Sequence, residues 1–155
     1  MKNVLHLSLA SFATIISINH STAKDIKPSD CLHELNQLSC VRYISNYDGD
    51  SFVFNALDIH PMFGEKIRFE LADVQTGGIR SKNKCEKSKA KEAKAFVKKS
   101  LKESKRIDLV NITKTKSGKL KGDVLVDKES VAQKLKNEKL AIDAKKDRKK
   151  YNWCK

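Results

Sequence analysis

Between Val41 and Ala72 three short stretches have the hydrophobic pattern of strands, separated by turn and loop residues. Val41-Arg42-Tyr43-Ile44 and Ser51-Phe52-Val53-Phe54-Asn55 are rich in β-branched and aromatic residues, and the turn formers Asn46-Tyr47-Asp48-Gly49-Asp50 separate them. The pattern predicts a strand, a tight turn and a second strand. After a loop containing Pro61 and Gly64, Lys66 to Ala72 alternates polar with apolar positions. Ile67, Phe69 and Leu71 share one face, and Arg68 and Glu70 share the other.

The period then changes. Past the flexible Gly77-Gly78, Glu86 to Lys105 lacks Gly and Pro and spaces Ala90, Ala93, Val97 and Leu101 as one helical face, with a largely lysine exterior. Arg106 to Ile112 and Lys121 to Val126 read as strands joined by a turn at Lys116-Ser117-Gly118-Lys119. Ser130-x-x-Gln133 fits a capping box for a second helix through Val131 and Leu135 toward Leu140. A basic tail from Lys145 to Lys150 precedes Trp153 and Cys154. Three strands, a helix, two strands and a helix make an α+β domain, and five short strands with an inserted helix suggest a five-stranded OB-fold barrel with two to three helices.

The N-terminus follows a different pattern. Lys2, an apolar run from Val4 to Ile18 and the small residues Ser21-Thr22-Ala23 have the form of a signal peptide over residues 1–23. A retained anchor is the alternative, but the run is short for a bilayer and interrupted by His6 and several Ser and Thr. The expectation is an exported protein, periplasmic or secreted, without stable membrane insertion after cleavage. Residues 24–40 form a polar arm and residues 41–155 the main domain.

Charge and cysteine content sharpen this picture. Of the 155 residues 33% are charged and the formal net charge is +13, a surface that attracts polyanions without choosing among nucleic acid, anionic lipid and glycan. Cys31, Cys40, Cys85 and Cys154 all follow the leader. An even number in a small exported chain favours two disulfides over a metal cluster. Three pairings are possible; the short Cys31 to Cys40 spacing makes a local loop the simplest, which leaves Cys85 with Cys154, and free thiols are the alternative. No Gly-rich phosphate loop or zinc pattern is present.

Asp48-Gly49-Asp50-Ser51, followed by Ile67-Arg68-Phe69-Glu70-Leu71-Ala72-Asp73, then by Lys116-Ser117-Gly118-Lys119-Leu120-Lys121-Gly122-Asp123-Val124 and a Trp153-Cys154 tail, resembles the staphylococcal-nuclease (thermonuclease-like) family. The resemblance covers nearly all of the chain after the leader. It implies an OB barrel and a calcium-dependent nuclease, a hydrolase that cuts DNA and RNA phosphodiesters with water. Asp50, Asp73 and the Val74 carbonyl match the family's Ca2+ ligands, a hard-oxygen set suited to that ion. Asp48 matches an acid behind them that holds the turn or a metal-bound water. Arg68 matches an arginine that contacts the scissile phosphate.

The pattern also departs from the family. The carboxylate that orients or deprotonates water stands three residues after the second aspartate, where this chain has Thr76; Glu70 and Glu86 are the nearest other acids. The second catalytic arginine corresponds to Lys119, which keeps charge but loses the bidentate fork. Thr115 and Ala144 replace an acid and an aromatic. The expectation is a weak, altered or lost nuclease activity in a monomeric domain that engages DNA or RNA. The alternative is a non-catalytic basic nucleic-acid-binding module, with Tyr43, Tyr47 or Phe52 available for stacking on bases.

Overall fold

The computed structural model describes residues 31–154. The leader and the first part of the polar arm lie outside the described residues. The chain is mixed α and β, and its main sheet runs β1 (Arg42–Asn46), β2 (Ser51–Asn55), β3 (Ile67–Leu71), β6 (Leu120–Val126), β5 (Ile107–Lys114), with β7 (Glu129–Ser130) added to β6. Neighbours are antiparallel except β3 and β6, which are parallel. A second, two-stranded sheet pairs β4 (Val74–Thr76) with β8 (Ala141–Asp143). Helices are α1 (Pro61–Gly64), α2 (Lys84–Glu103) and α3 (Val131–Asn137).

The inward positions of the alternating strands make the core. Phe52, Phe54, Phe69, Leu71, Leu109, Val124 and Val126 pack with Ala93, Val97 and Leu101 of α2 and with Val131 and Leu135 of α3. Helix α2 starts two residues earlier than its periodicity suggested, because the Asn83 side chain accepts from the Glu86 amide and caps it. Ser130 caps α3 as expected, accepting from the Gln133 amide, but Gln133 turns to Asn137 instead of reaching back. The helix ends at Asn137, and Leu140 is buried beyond it.

Among the described residues the sheet is open and does not close into the five-stranded barrel expected from the pattern. Ahead of β1, Leu38 and Leu109 exchange backbone hydrogen bonds of 2.9 and 2.8 Å, and Val41 donates to the Ile107 carbonyl. These bonds bring the edges near β1 and β5 together, but they amount to a bridge rather than a ladder. Cys40 interrupts it: its φ of 53° leaves the extended region, and its amide is taken by Asp108 Oδ1 at 2.8 Å.

Both local and distant cysteine pairs form. Cys31 joins Cys40 and Cys85 joins Cys154, with no free cysteine, which fits an oxidising environment. The second bond ties the C-terminal segment to the first turn of α2. Trp153 is buried there and donates to the Arg148 carbonyl at 3.1 Å. Among the described residues, no helix is long and apolar enough to cross a membrane.

Candidate functional site

The β1–β2 turn carries the first acids. It is fixed by Asn46, a buried residue whose side-chain amide donates to the Asp48 carbonyl at 2.7 Å and to the Lys94 carbonyl of α2 at 3.2 Å. Gly49 lets the turn lie against β4 and α2: a Cβ there would stand 2.6 Å from Thr76 Cγ2 and 2.7 Å from Ala93 Cβ. The Asp50 amide donates to Asp48 Oδ1 at 3.2 Å, and Asp50 Oδ2 accepts from the Thr76 amide at 2.7 Å.

Asp48 and Asp50 open into a cleft of about 280 Å³ whose other walls include Glu70, Val74, Gln75, Lys121, Ala144 and Arg148. Burial pushes the Asp50 carboxyl up to about 7, and the hydrogen bond and charge of Asp48 add to the shift; the Thr76 amide opposes them. The Thr76 hydroxyl is buried and reaches no partner in hydrogen-bonding geometry among the described residues. Neither Asp48 nor Asp50 forms an ion pair among those residues. The cations at the cleft pair with other acids, Lys121 with Glu70 of the same wall at 3.4 Å and Arg148 with Glu86 at 3.4 Å.

Asp73 lies between Ala72 and Val74, which both line the cleft, but it is itself exposed and outside the lining. Its carbonyl accepts from the Ala144 amide at 2.9 Å, which stitches the end of β3 to the C-terminal segment. Among the described residues no three His, Cys, Asp or Glu side chains converge as a metal-holding group. Calcium takes six to eight oxygens, so Asp48 and Asp50 fit it only as part of a shell completed by other oxygens, with Val74 at the same wall.

A second cleft, about 360 Å³, shares the cross-strand pair Ser51 and Glu70 with the first. Tyr47, Phe52, Val53, Arg68, Phe69 and Lys119 complete its walls. Arg68 is exposed and makes no ion pair among the described residues, neither with Glu70 nor with Asp73. Lys119 instead reaches Glu70 at 2.7 Å. The Arg80 guanidinium stands 5.9 Å from the Tyr47 ring centre, within cation–π range.

The two other acids considered for the Thr76 position are both occupied. Burial pushes the Glu70 carboxyl up, but the Lys119 and Lys121 ammonium groups outweigh it and hold the group below its ordinary value. It is therefore a poor proton acceptor in this arrangement. Glu86 is buried, accepts from the Gly78 amide at 2.8 Å and from the Ser81 hydroxyl, and meets Arg148. It fixes the loop between β4 and α2. A third cleft, about 420 Å³ and lined by Arg42, Lys102 and Lys105 among others, has no carboxylate in its lining; the acid chemistry lies in the other two.

Sequence reasoning missed Gln75, Lys121 and Arg148 as walls of the acid cleft. Arg148 belongs to a basic tail whose spacing gives no address, and only the Cys85 to Cys154 pairing hinted that this tail folds back. No protein-family profile matches the chain, and no curated protein is significantly similar to it.

Proposed function

We propose that the protein acts on nucleic-acid phosphodiesters as a thinned relative of the staphylococcal-nuclease-like enzymes, its open sheet being a partly closed form of the OB-type barrel. The observation that carries this reading is the Asp48 and Asp50 pair: two carboxylates in one cleft, without a paired cation among the described residues, beside a second cleft that presents an unpaired Arg68. A divalent cation is the complement that such an acid pair lacks.

Calcium, when bound, would supply positive charge against a phosphate oxygen and against a water. Asp50 and Asp48 would hold it, with Val74 and the exposed Asp73 as the further candidates for its shell. Arg68 offers a planar fork to the phosphate from the neighbouring cleft, and Lys119 adds a point charge once it leaves Glu70. Thr76 supplies no carboxylate to take a proton from water, and such a loss lowers the rate by roughly 10² to 10⁴. The expected enzyme is slow.

A second reading is favoured by the burial of Thr76 and the engagement of Glu70. With Thr76 in place of a carboxylate and Glu70 held by two lysines, the same two clefts suit a non-catalytic nucleic-acid-binding module. Purified oxidised protein incubated with single-stranded DNA and RNA, with calcium or with chelator, separates the two. Slow calcium-dependent cleavage lost in Asp50→Ala and Arg68→Ala supports the enzyme. Salt-sensitive binding without product supports the module, and neither binding nor cleavage contradicts both.

A further inference from the structure

Helix α2 carries lysine at positions 84, 87, 91, 94, 98 and 102. Steps of three and four residues place all six on one stripe, which at 1.5 Å per residue is about 27 Å long. Lys84, Lys87, Lys91, Lys98 and Lys102 are exposed and Lys94 is half-buried. The stripe flanks the buried face of Ala90, Ala93, Val97 and Leu101.

The acids of the same helix are kept away from it. Glu86 is buried and held by Gly78, Ser81 and Arg148. Glu92 pairs with Lys89 at 2.9 Å. Glu92 and Glu103 fall more than about 100° around the helix from the middle of the stripe. None of the six lysines forms an ion pair among the described residues. Like charges at such spacing cost a helix about 0.2–0.5 kcal/mol per pair, so the fold gains nothing from segregating them. A solvated face chosen for solubility alone would mix both signs. At its C-terminal end the stripe runs into the cleft where Lys102 joins Lys105 and Arg42.

We infer that this stripe is a docking surface for the phosphodiester backbone of a nucleic-acid strand, a site outside the two clefts that grips a length of polymer. The inference deepens the proposed function and takes from it only the choice of polyanion. Charge complementarity argues for a linear partner, since six of the eight lysines of α2 form a single file; Lys89 is taken by Glu92, and Lys99 lies off the stripe. A membrane is disfavoured because helices that lie on lipid present large apolar residues beside their cations. Those of α2 are spent on the core, and none of the exposed large hydrophobic residues lies on α2.

The test uses the full oxidised protein, a fluorescent single-stranded 30-mer and anisotropy across a salt series. One triple variant, Lys87→Gln/Lys91→Gln/Lys98→Gln, removes stripe charge; another, Lys145→Gln/Lys149→Gln/Lys150→Gln, removes the same charge from the C-terminal tail. The stripe triple is expected to bind at least tenfold more weakly, with the slope of log affinity against log salt falling by about 2, as roughly 0.7 per lost phosphate contact requires. The tail triple should lose less than half as much. Lys87→Arg/Lys91→Arg/Lys98→Arg should restore binding, and thermal midpoints should match or exceed wild type.

Equal losses in the two Gln triples would reduce the effect to net charge and overturn the inference. So would an unchanged stripe triple, or binding to phosphatidylserine vesicles with none to the oligonucleotide. Calcium-dependent turnover of a dinucleotide reports on the clefts alone, so failure there and failure of the stripe are read separately.

Discussion

The backbone amide of Thr76 donates to Asp50 Oδ2 at 2.7 Å, so the residue at the position of the expected proton acceptor instead holds one of the acids in place. The bond links β4 to the β1–β2 turn and leaves Asp50 largely enclosed beside Asp48. Raised from 3.8 to about 7, the Asp50 carboxyl keeps its proton in the folded protein over a range where the unfolded chain has lost it.

The sign of the pH effect follows. Between pH 3.8 and about 7 the folded state binds more protons than the unfolded state at this residue, so its contribution to stability is full at low pH and is lost as pH rises through 7. In chelator, Asp50→Asn should therefore raise the melting temperature at pH 8 and change it little at pH 4. A larger gain at pH 4 would reverse the assignment.

Gly49 is needed for space rather than for backbone freedom. Gly49→Ala would push a methyl against Thr76 and Ala93. The turn must shift, at a cost of about 1–3 kcal/mol, carrying Asp48 and Asp50 with it. Urea denaturation measures the first effect. An unchanged midpoint would mean that the contact relaxes freely.

The two disulfides should differ in weight. Cys85 and Cys154 are 69 residues apart in sequence and Cys31 and Cys40 only 9. The loop-entropy relation gives about 4 and about 3 kcal/mol. Cys85→Ser/Cys154→Ser should also loosen Arg148 and Trp153, and with them a wall of the acid cleft. Urea midpoints and tryptophan fluorescence of the two double variants check the order; equal loss of Trp153 burial in both would contradict it.

Glu70 restrains two lysines. Glu70→Gln should release Lys119 and Lys121 while changing stability by less than about 1 kcal/mol, because these pairs are largely solvent-facing. Oligonucleotide affinity at low salt should rise several-fold. A drop in affinity would show that Glu70 positions the lysines for binding instead of withholding them.

Much of the central sheet was legible because Phe52, Phe54, Ile67, Phe69 and Leu71 alternate cleanly, and α2 because Ala90, Ala93, Val97 and Leu101 keep one face over about three turns. The short pieces were not. β4 and β8 are three residues each and are defined by pairing with each other across the chain, which no local period encodes. The sequence over α1 suits a loop, since Pro61 and Gly64 are turn formers; the helix is set by the His60 side chain accepting from the Met62 amide. The open sheet depends on one backbone conformation at Cys40 that alternation cannot reveal. At the site, Asp48, Asp50, Arg68 and Lys119 were identifiable from motif order and do line the two clefts. The outward placement of Asp73 and the inward folding of Arg148 depend on tertiary contacts made by the C-terminal segment.

The most direct measurement is a calcium titration by calorimetry at pH 7.5, on the wild-type protein and on Asp50→Ala. Saturable binding with a single site, abolished by the substitution, is the predicted result. No heat of binding at millimolar calcium, or equal binding by the variant, would contradict the assignment of Asp48 and Asp50 as a cation site and with it the proposed chemistry.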